Sequence, residues 1–519
     1  MVTLRAETGA PVTAGPGTRW TAPRRAGRAA WWPRAAPAVL ALAIGLWGID
    51  RHGSVWRDEA ASYEVARRSL AEIWHMLGSV DAVHGLYYLL LHCLFTVFPG
   101  GLVALRLPSV LAIAAAATGT AALGRRLAGP RVGLAAGLVF PVIPEVQRYA
   151  QEGRSYALVC AVVVAATHLL LRAVAANSPL RWAGYSVTVL VACLLHEFAV
   201  LALLAHGVTL AVTRTPFRAL RAWGVAVAVA AAGLAPLAAV SCRQSAQVAW
   251  IPPVGPRGLL GFATLALTGL GCALVARGVK GIGRLCAVAL PLLLVPPAAL
   301  LLVSLLDRVY VGRYVFYAEV GLALLLGAAV EAVRRIAVRR GVPRGWPVAV
   351  VAATALALLP YSVRLRTAQS RTDDVAAAAR VVRQYAAPGA GVLFIPAERR
   401  ESAVAFPRDY RGVADLALDR DAVTSGTLVG TEVPAGAIGE RMRATSRVIT
   451  VTDPAARPGP GDTPQDAAKW RALRHDFEPC DRSRVPGLVV TEYVRRGACR
   501  PAFPHRTRAR GPEPRARRR

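Results

Sequence analysis

Between residues 32 and 361 the chain repeats apolar blocks of nearly the length, about 20 residues, that a helix needs to cross the hydrocarbon core of a bilayer. Few folds can absorb that. Acidic side chains avoid the same region: 13 of the 31 Asp and Glu lie in residues 1–361, and 18 lie in residues 362–519. With 55% hydrophobic and only 18% charged residues, neither an ordinary soluble protein nor a disordered chain fits. Eight cysteines in 519 residues are too few for a disulfide-stapled miniprotein. The chain reads as a mainly α, polytopic membrane protein. From Thr367 onward, short apolar runs alternate with Pro- and Gly-bearing turns, which marks a small soluble domain.

The formal net charge of +31 invites a nucleic-acid reading, because a basic stripe is the usual footprint of phosphate-backbone binding. Composition rejects it. Of the 62 basic residues only Lys280 and Lys469 are lysine, so the excess is arginine scattered through an Ala-, Val- and Leu-rich chain, as codon bias in a GC-rich genome produces. No nucleic-acid partner is expected. Dense arginine without interleaved aromatics at Met1–Arg28 and His505–Arg519 reads as flexible tails.

Arginine also sets the orientation, since short cytoplasmic loops are enriched in Arg and Lys. Five connections qualify: Arg125-Arg126 with Arg131, Arg172 with Arg181, Arg214 to Arg221, Arg277 to Arg284, and Arg334 to Arg344. Placing them in the cytoplasm with the N-terminus gives eleven crossings, at 32–50, 103–123, 132–147, 155–175, 182–196, 199–213, 223–241, 258–276, 285–306, 314–332 and 346–361. The expected parts are a disordered cytoplasmic N-terminus (1–31), a transmembrane domain (32–361), an extracytoplasmic α/β domain (362–504) and a disordered Arg-rich tail (505–519) in a multi-pass protein of the plasma membrane. The stretch Leu86–Phe98 cannot also cross without turning Arg125-Arg126 outward, so a juxtamembrane or partly inserted helix is expected there.

The first outer loop, residues 51–85, is long and acidic. Ala66, Leu70, Ile73, Trp74 and Leu77 recur at helical spacing, so a helix starting near Asp58 is expected to lie on the membrane with that side down. Asp58 and Glu59 then stand at the water-lipid boundary. A carboxylate there can act as general base toward a hydroxyl acceptor while a lipid-linked donor approaches from the bilayer; the competing reading is that Asp58 caps the helix.

The segment Trp56, Asp58, Glu59, Ala60 just after the first span resembles the start of the GT-C membrane glycosyltransferases, which include the protein O-mannosyltransferases (glycosyltransferase family 39), the aminoarabinose transferases of lipid A and many actinobacterial mannosyltransferase-like proteins. Further matches follow in order. After Asp81 and His84 comes an aromatic helix with Tyr87 and Tyr88, then QRYAQEGRSYAL, similar to the family's motif at Gln151, Glu152, Arg154, Tyr156, Ala157 and Leu158, and last a late outer loop ending in Arg313-Tyr314. The resemblance covers about residues 32–361. It implies a polyprenyl-phosphate sugar donor, mannose by the nearest subfamilies, with the family's acidic residue carried over to Asp58 and Glu59 beside it. Arg154, Arg308 and Arg313 are cations suited to clamping a departing phosphate, with interfacial snorkelling as the competing reading, and His84 adds a hydrogen bond. Tyr87, Tyr156 and Tyr314 complete the expected donor site. Asp81, Gln151, Glu152 and His196 are assigned to the acceptor or to support of the site. The acceptor is a protein, glycan or lipid.

No cofactor is expected, and no metal: His75, Asp81 and His84 do not share a helix face and no cysteine joins them. Six cysteines in or beside spans read as small apolar packing residues. The competing class is a polytopic transporter or lipid-handling protein, but mid-span charges in an internal repeat are not found. The C-terminal domain reads as helix-strand alternation, with helices at 373–385, 437–445 and 466–477 before strands 391–396, 447–452 and 488–495, giving a parallel-biased sheet of three or four strands. Cys480 and Cys499 lie on the outward side of that scheme, where thiols pair; two free thiols are the alternative.

Overall fold

The computed structural model describes residues 32–342 and 346–499, so the expectations for 1–31 and 505–519 fall outside the described residues. The chain forms two compact units. One joins the residues up to Ile49 to Leu77–Arg366, and the other joins Asp50–Met76 to the residues from Thr367 onward.

The first unit is helical. Every expected crossing falls on helix, and among the described residues six helices are long and apolar enough to cross a membrane: Leu102–Ala128, Tyr156–Ala176, Phe217–Arg243, Pro256–Gly278, Ile282–Val303 and Gly312–Arg339. Others are shorter or broken. The expected span 132–147 is Pro130–Val139, a tight turn Phe140–Val142 and Pro144–Ala150, because Pro141 and Pro144 remove backbone donors in quick succession. The stretch 182–213 is Pro179–Leu195 and Leu201–Val212, separated by His196–Val200, and Leu86–Phe98 lies in the helix Gly85–Val97.

Close packing of these helices rests on small residues, since lipid offers no hydrophobic driving force between apolar helices. Gly133 shows the limit: a Cβ there would lie 2.4 Å from the Ala121 carbonyl oxygen and 2.5 Å from the Arg125 nitrogen, both on the helix Leu102–Ala128. At Gly327, on Glu319–Arg339, a Cβ would meet Ala136 backbone at 2.6 Å.

The second unit carries a five-stranded sheet of β1 (Ala390–Ile395), β2 (Val413–Asp415), β3 (Arg447–Thr452), β4 (Phe477–Val485) and β5 (Leu488–Arg495), in the order β2-β1-β3-β5-β4. Helices Val375–Tyr385, Ala435–Arg443 and Pro464–Asp476 precede β1, β3 and β4. Leu393, Ile395, Val448, Ile438, Met442 and Leu473 form its core. The sheet corrects the expected three or four strands and the parallel bias. β1 runs parallel to β2 and β3, but β5 is antiparallel to β3 and to β4. β4, FEPCDRSRV, is an edge strand that buries little beyond Phe477, so it lacks the apolar run that marks an inner strand. A two-residue turn, Pro486-Gly487, returns it into β5 with Gly487 at φ +67°. Cys480 of β4 is disulfide-bonded to Cys499.

The loop also departs from expectation. In place of one membrane-surface helix there are two, Arg57–Val65 and Leu70–Leu77. Ser69 and Glu72 form a capping box, with the Ser69 N–H donating to Glu72 Oε2 at 2.7 Å and the Glu72 N–H to Ser69 Oγ at 3.3 Å, and this resets the helix. The five apolar positions consequently split: Ala66, Ile73 and Leu77 are buried, while Leu70 and Trp74 are exposed.

Candidate functional site

In the helical unit the candidate residues gather where regular helix gives way to irregular backbone: the turn Ala82–His84, the link Gln151–Ser155, the break at His196–Val200, and the tight turn Gly312–Ala318. Asp81 opens the first of these in the left-handed region, φ 60°, which Asp tolerates better than most residues. Its N–H donates to Gln247 Oε1 at 2.9 Å, and the Ala82 N–H donates to Gln244 Oε1 at 3.0 Å. The turn is thereby held by the segment after Phe217–Arg243.

From that turn a polar chain runs inward. Tyr88 donates to the Asp81 carboxylate, Arg154 Nη1 donates to the Tyr88 hydroxyl at 3.4 Å, and Arg154 Nη2 lies 2.5 Å from His84 Nε2. A guanidinium only donates, so His84 Nε2 must accept, and the imidazole proton sits on Nδ1. That Nδ1–H is buried and has no hydrogen-bond partner among the described residues, and the same holds for His196 Nδ1 and Ser155 Oγ. Leaving such a group unmet costs about 1–3 kcal/mol, so each of these atoms calls for a polar partner, water or ligand.

Aromatic rings surround these groups. His196 lies 5.5 Å from His84, 5.6 Å from Tyr156 and 4.7 Å from Tyr314, ring centre to ring centre, and Phe198 stacks on Tyr314 at 5.1 Å. Arg313 reaches over Tyr156, Tyr314 and Trp250, each within 5.8 Å. The result is a buried cluster with two guanidiniums, imidazole nitrogens and flat faces, a combination that suits an anionic phosphate carrying a sugar.

Not every expected residue joins it. Arg308 is exposed. The Gln151 side chain donates to the carbonyls of Gly45 and Trp47 at 2.8 and 2.7 Å and so braces backbone, while the Glu152 backbone carbonyl accepts from Ser109 Oγ at 2.6 Å. Tyr87 is fully buried on the helix that also carries Tyr88. Phe198, Trp250, Gln244 and Gln247 belong to the cluster or its support and were not expected; each stands in an apolar or loop context with no motif around it. Among the described residues no three His, Cys, Asp or Glu side chains converge to hold a metal ion.

The second unit holds Asp58 and Glu59. The helix there opens at Arg57 after Trp56, so Asp58 sits in the first turn, half-buried, and does not cap the helix. Backbone N–H groups at that end favour a carboxylate. Glu59 is fully buried, 3.6 Å from the buried Arg51 guanidinium. Two consecutive acids far along the chain fix the approach to Asp58. Asp373 accepts from the Arg57 N–H at 2.9 Å and from Arg57 Nε at 2.5 Å. Asp374 accepts from the Val55 N–H at 3.3 Å while also capping the helix Val375–Tyr385, and the Val375 N–H returns to the Val55 carbonyl at 2.8 Å. The peptide leading into Asp58 is therefore clamped on both of its edges.

No protein-family model matches the sequence, and a comparison with curated proteins finds no match. Solved structures do. The chain is similar to ArnT from Cupriavidus metallidurans bound to undecaprenyl phosphate, at 15% identity and TM-score 0.55, over 89% of this chain and 98% of that one. Against the apo state of ArnT the values are 15%, 0.54, 88% and 97%. A further similar structure is the archaeal oligosaccharyltransferase AglB from Archaeoglobus fulgidus, at 12% identity and TM-score 0.43, over 82% of this chain and 70% of that one. The likeness to ArnT gives the chain the GT-C-type fold that its motifs resemble.

Proposed function

We propose that this fold serves as an integral membrane glycosyltransferase that moves a sugar, mannose in our reading, from a polyprenyl-phosphate donor to an acceptor at the extracytoplasmic face of the plasma membrane. One observation carries the reading: the buried Nδ1 atoms of His84 and His196, which have no hydrogen-bond partner among the described residues, set among Arg154, Arg313 and stacked aromatic rings. That ArnT was solved with undecaprenyl phosphate supports the same class of ligand for a chain of this fold.

The chemistry follows. Asp58 takes the proton from the acceptor nucleophile as its oxygen or nitrogen attacks the anomeric carbon, and the bond from that carbon to the phosphate oxygen breaks. The departing polyprenyl phosphate gains negative charge, which Arg154, Arg313 and the His84 Nδ1–H stabilise; such preorganised donors cost no reorganisation when the charge develops. Tyr156, Tyr314 and Phe198 offer rings for the sugar face, and Asp81 holds Arg154 through Tyr88. A C-terminal extracytoplasmic domain would present the acceptor.

The test is to incubate membranes containing the protein with radiolabelled polyprenyl-phosphate mannose and to follow label into protein, glycan and lipid fractions. Asp58→Asn, which keeps size but loses the base, should abolish incorporation while the protein still inserts and folds. Near-wild-type turnover by that variant returns Asp58 to a structural role.

A further inference from the structure

Glu401 has no part in the chemistry above, yet its surroundings are unusual. It opens the short helix Glu401–Ala405, which packs against the Asp58 helix Arg57–Val65, with Phe406 stacked on Tyr63 at 6.3 Å. Only 15% of its side chain is exposed. Arg399 Nη1 stands 3.3 Å from its Oε1, but Arg399 is already held by Asp453 through contacts of 2.7 and 3.1 Å. The other charged and titratable groups acting across this packing are Asp373 and Arg57, themselves joined, Asp58, and Tyr410, whose hydroxyl lies 2.6 Å from Ser402. Arg57 and Arg399 are thus each already engaged by another carboxylate, Asp373 and Asp453, before Glu401 is counted.

We propose that Glu401 is a positioning residue for Asp58: as a neutral acid it lets its helix seat against the turn that carries Asp58, and as a carboxylate it unseats that turn. A charged Glu401 has to share Arg399 with Asp453, and the nearest relief is separation of the two helices. Burial, first, and then the charges of Asp373 and Asp58 push the Glu401 carboxyl up to about 8, against the pull of Arg399 and Arg57. The neutral form consequently prevails at neutral pH, and the seat loosens as pH passes that value. This rests on the transferase reading only for what the turn does, not for whether it moves.

Hydrogen exchange of the full-length protein in nanodiscs tests the movement directly. Peptides spanning 54–62 should lose protection, after correction for intrinsic exchange, between about pH 6.5 and about pH 9 in the wild type, and keep it in Glu401→Gln. Label incorporation from polyprenyl-phosphate mannose should fall over the same window in the wild type, with a level profile in the variant. Glu401→Met serves as the second neutral variant if the amide fails to fold. Protection that is flat in the wild type, or that falls equally in the neutral variants, overturns the proposal. A wild type that transfers no label from any lipid-phosphate donor while its exchange behaves as expected leaves the seat standing and removes the transferase reading.

Discussion

Each side chain of the His84 cluster has a separable contribution. Arg154→Ala removes a charge-assisted donor and also the group that fixes the His84 tautomer, so apparent donor affinity should fall about 10- to 100-fold, corresponding to roughly 1.5–3 kcal/mol. His84→Ala should fall less, and Arg313→Lys should lose affinity because an ammonium cannot spread over three rings; a donor titration of label incorporation measures all three. Glu401 makes a different prediction, on stability. Its carboxyl is raised from 4.5 to about 8, so between those values the folded protein holds the proton that the unfolded chain releases. The stabilisation is complete below the lower value, declines as pH rises, and is gone above the upper one. Thermal unfolding of Glu401→Gln should therefore match the wild type in acid and exceed it at alkaline pH. Parts of this residue-level picture can be read without a structure: Arg154 and Tyr156 stand inside a motif, and Arg313-Tyr314 heads a span. Phe198 and Trp250 cannot be read so, because an aromatic residue among apolar ones carries no local mark of which cluster it joins.

At the level of elements, two packing predictions follow. Gly133→Leu places a side chain where even a Cβ meets backbone at 2.4 Å, so the helices Leu102–Ala128 and Pro130–Val139 must separate, and folded yield in detergent should collapse. In the second unit, Lys469 is fully buried and donates to the Phe394 carbonyl, Glu432 and Asp466 at 2.8–2.9 Å, while Arg400 donates to Glu432 and to Asp415 at 2.6 Å. Lys469→Ala leaves buried carboxylates short of a cation and should cost about 3–5 kcal/mol, read as a lowered urea midpoint. The helices were legible from their apolar blocks, since lipid imposes one length and one polarity on each crossing. The inner strands β1, β3 and β5 were legible from short apolar runs. β4 was not, because an edge strand needs polar residues on its open side and so reads as loop. The capping box at Ser69 and Glu72 was present in the sequence but outweighed by the apolar period that spans it.

For the whole molecule, the Cys480–Cys499 bond joins residues 19 apart around β5 and should contribute on the order of 3 kcal/mol in the loop-entropy view. With the outward topology we propose, a membrane-impermeant maleimide should label neither cysteine in intact cells until a reductant is added. Ready labelling without reductant argues against the bond in the cell. The clamp on the Asp58 approach has a consequence in time. Arg57 and Asp373 are 316 positions apart, and most of what lies between them, Leu77–Arg366, belongs to the helical unit. At about 5–20 residues per second, a ribosome needs roughly 15–60 seconds after making Arg57 before it makes its partner. During that interval the acidic loop has emerged without Asp373 and Asp374, and it acquires these contacts only after the helical unit has been synthesised. A chain cut short just before Asp373 would carry His84, Arg154 and Arg313 and still lack these contacts to the Asp58 approach, so that anchoring marks a chain whose helical unit has already been made.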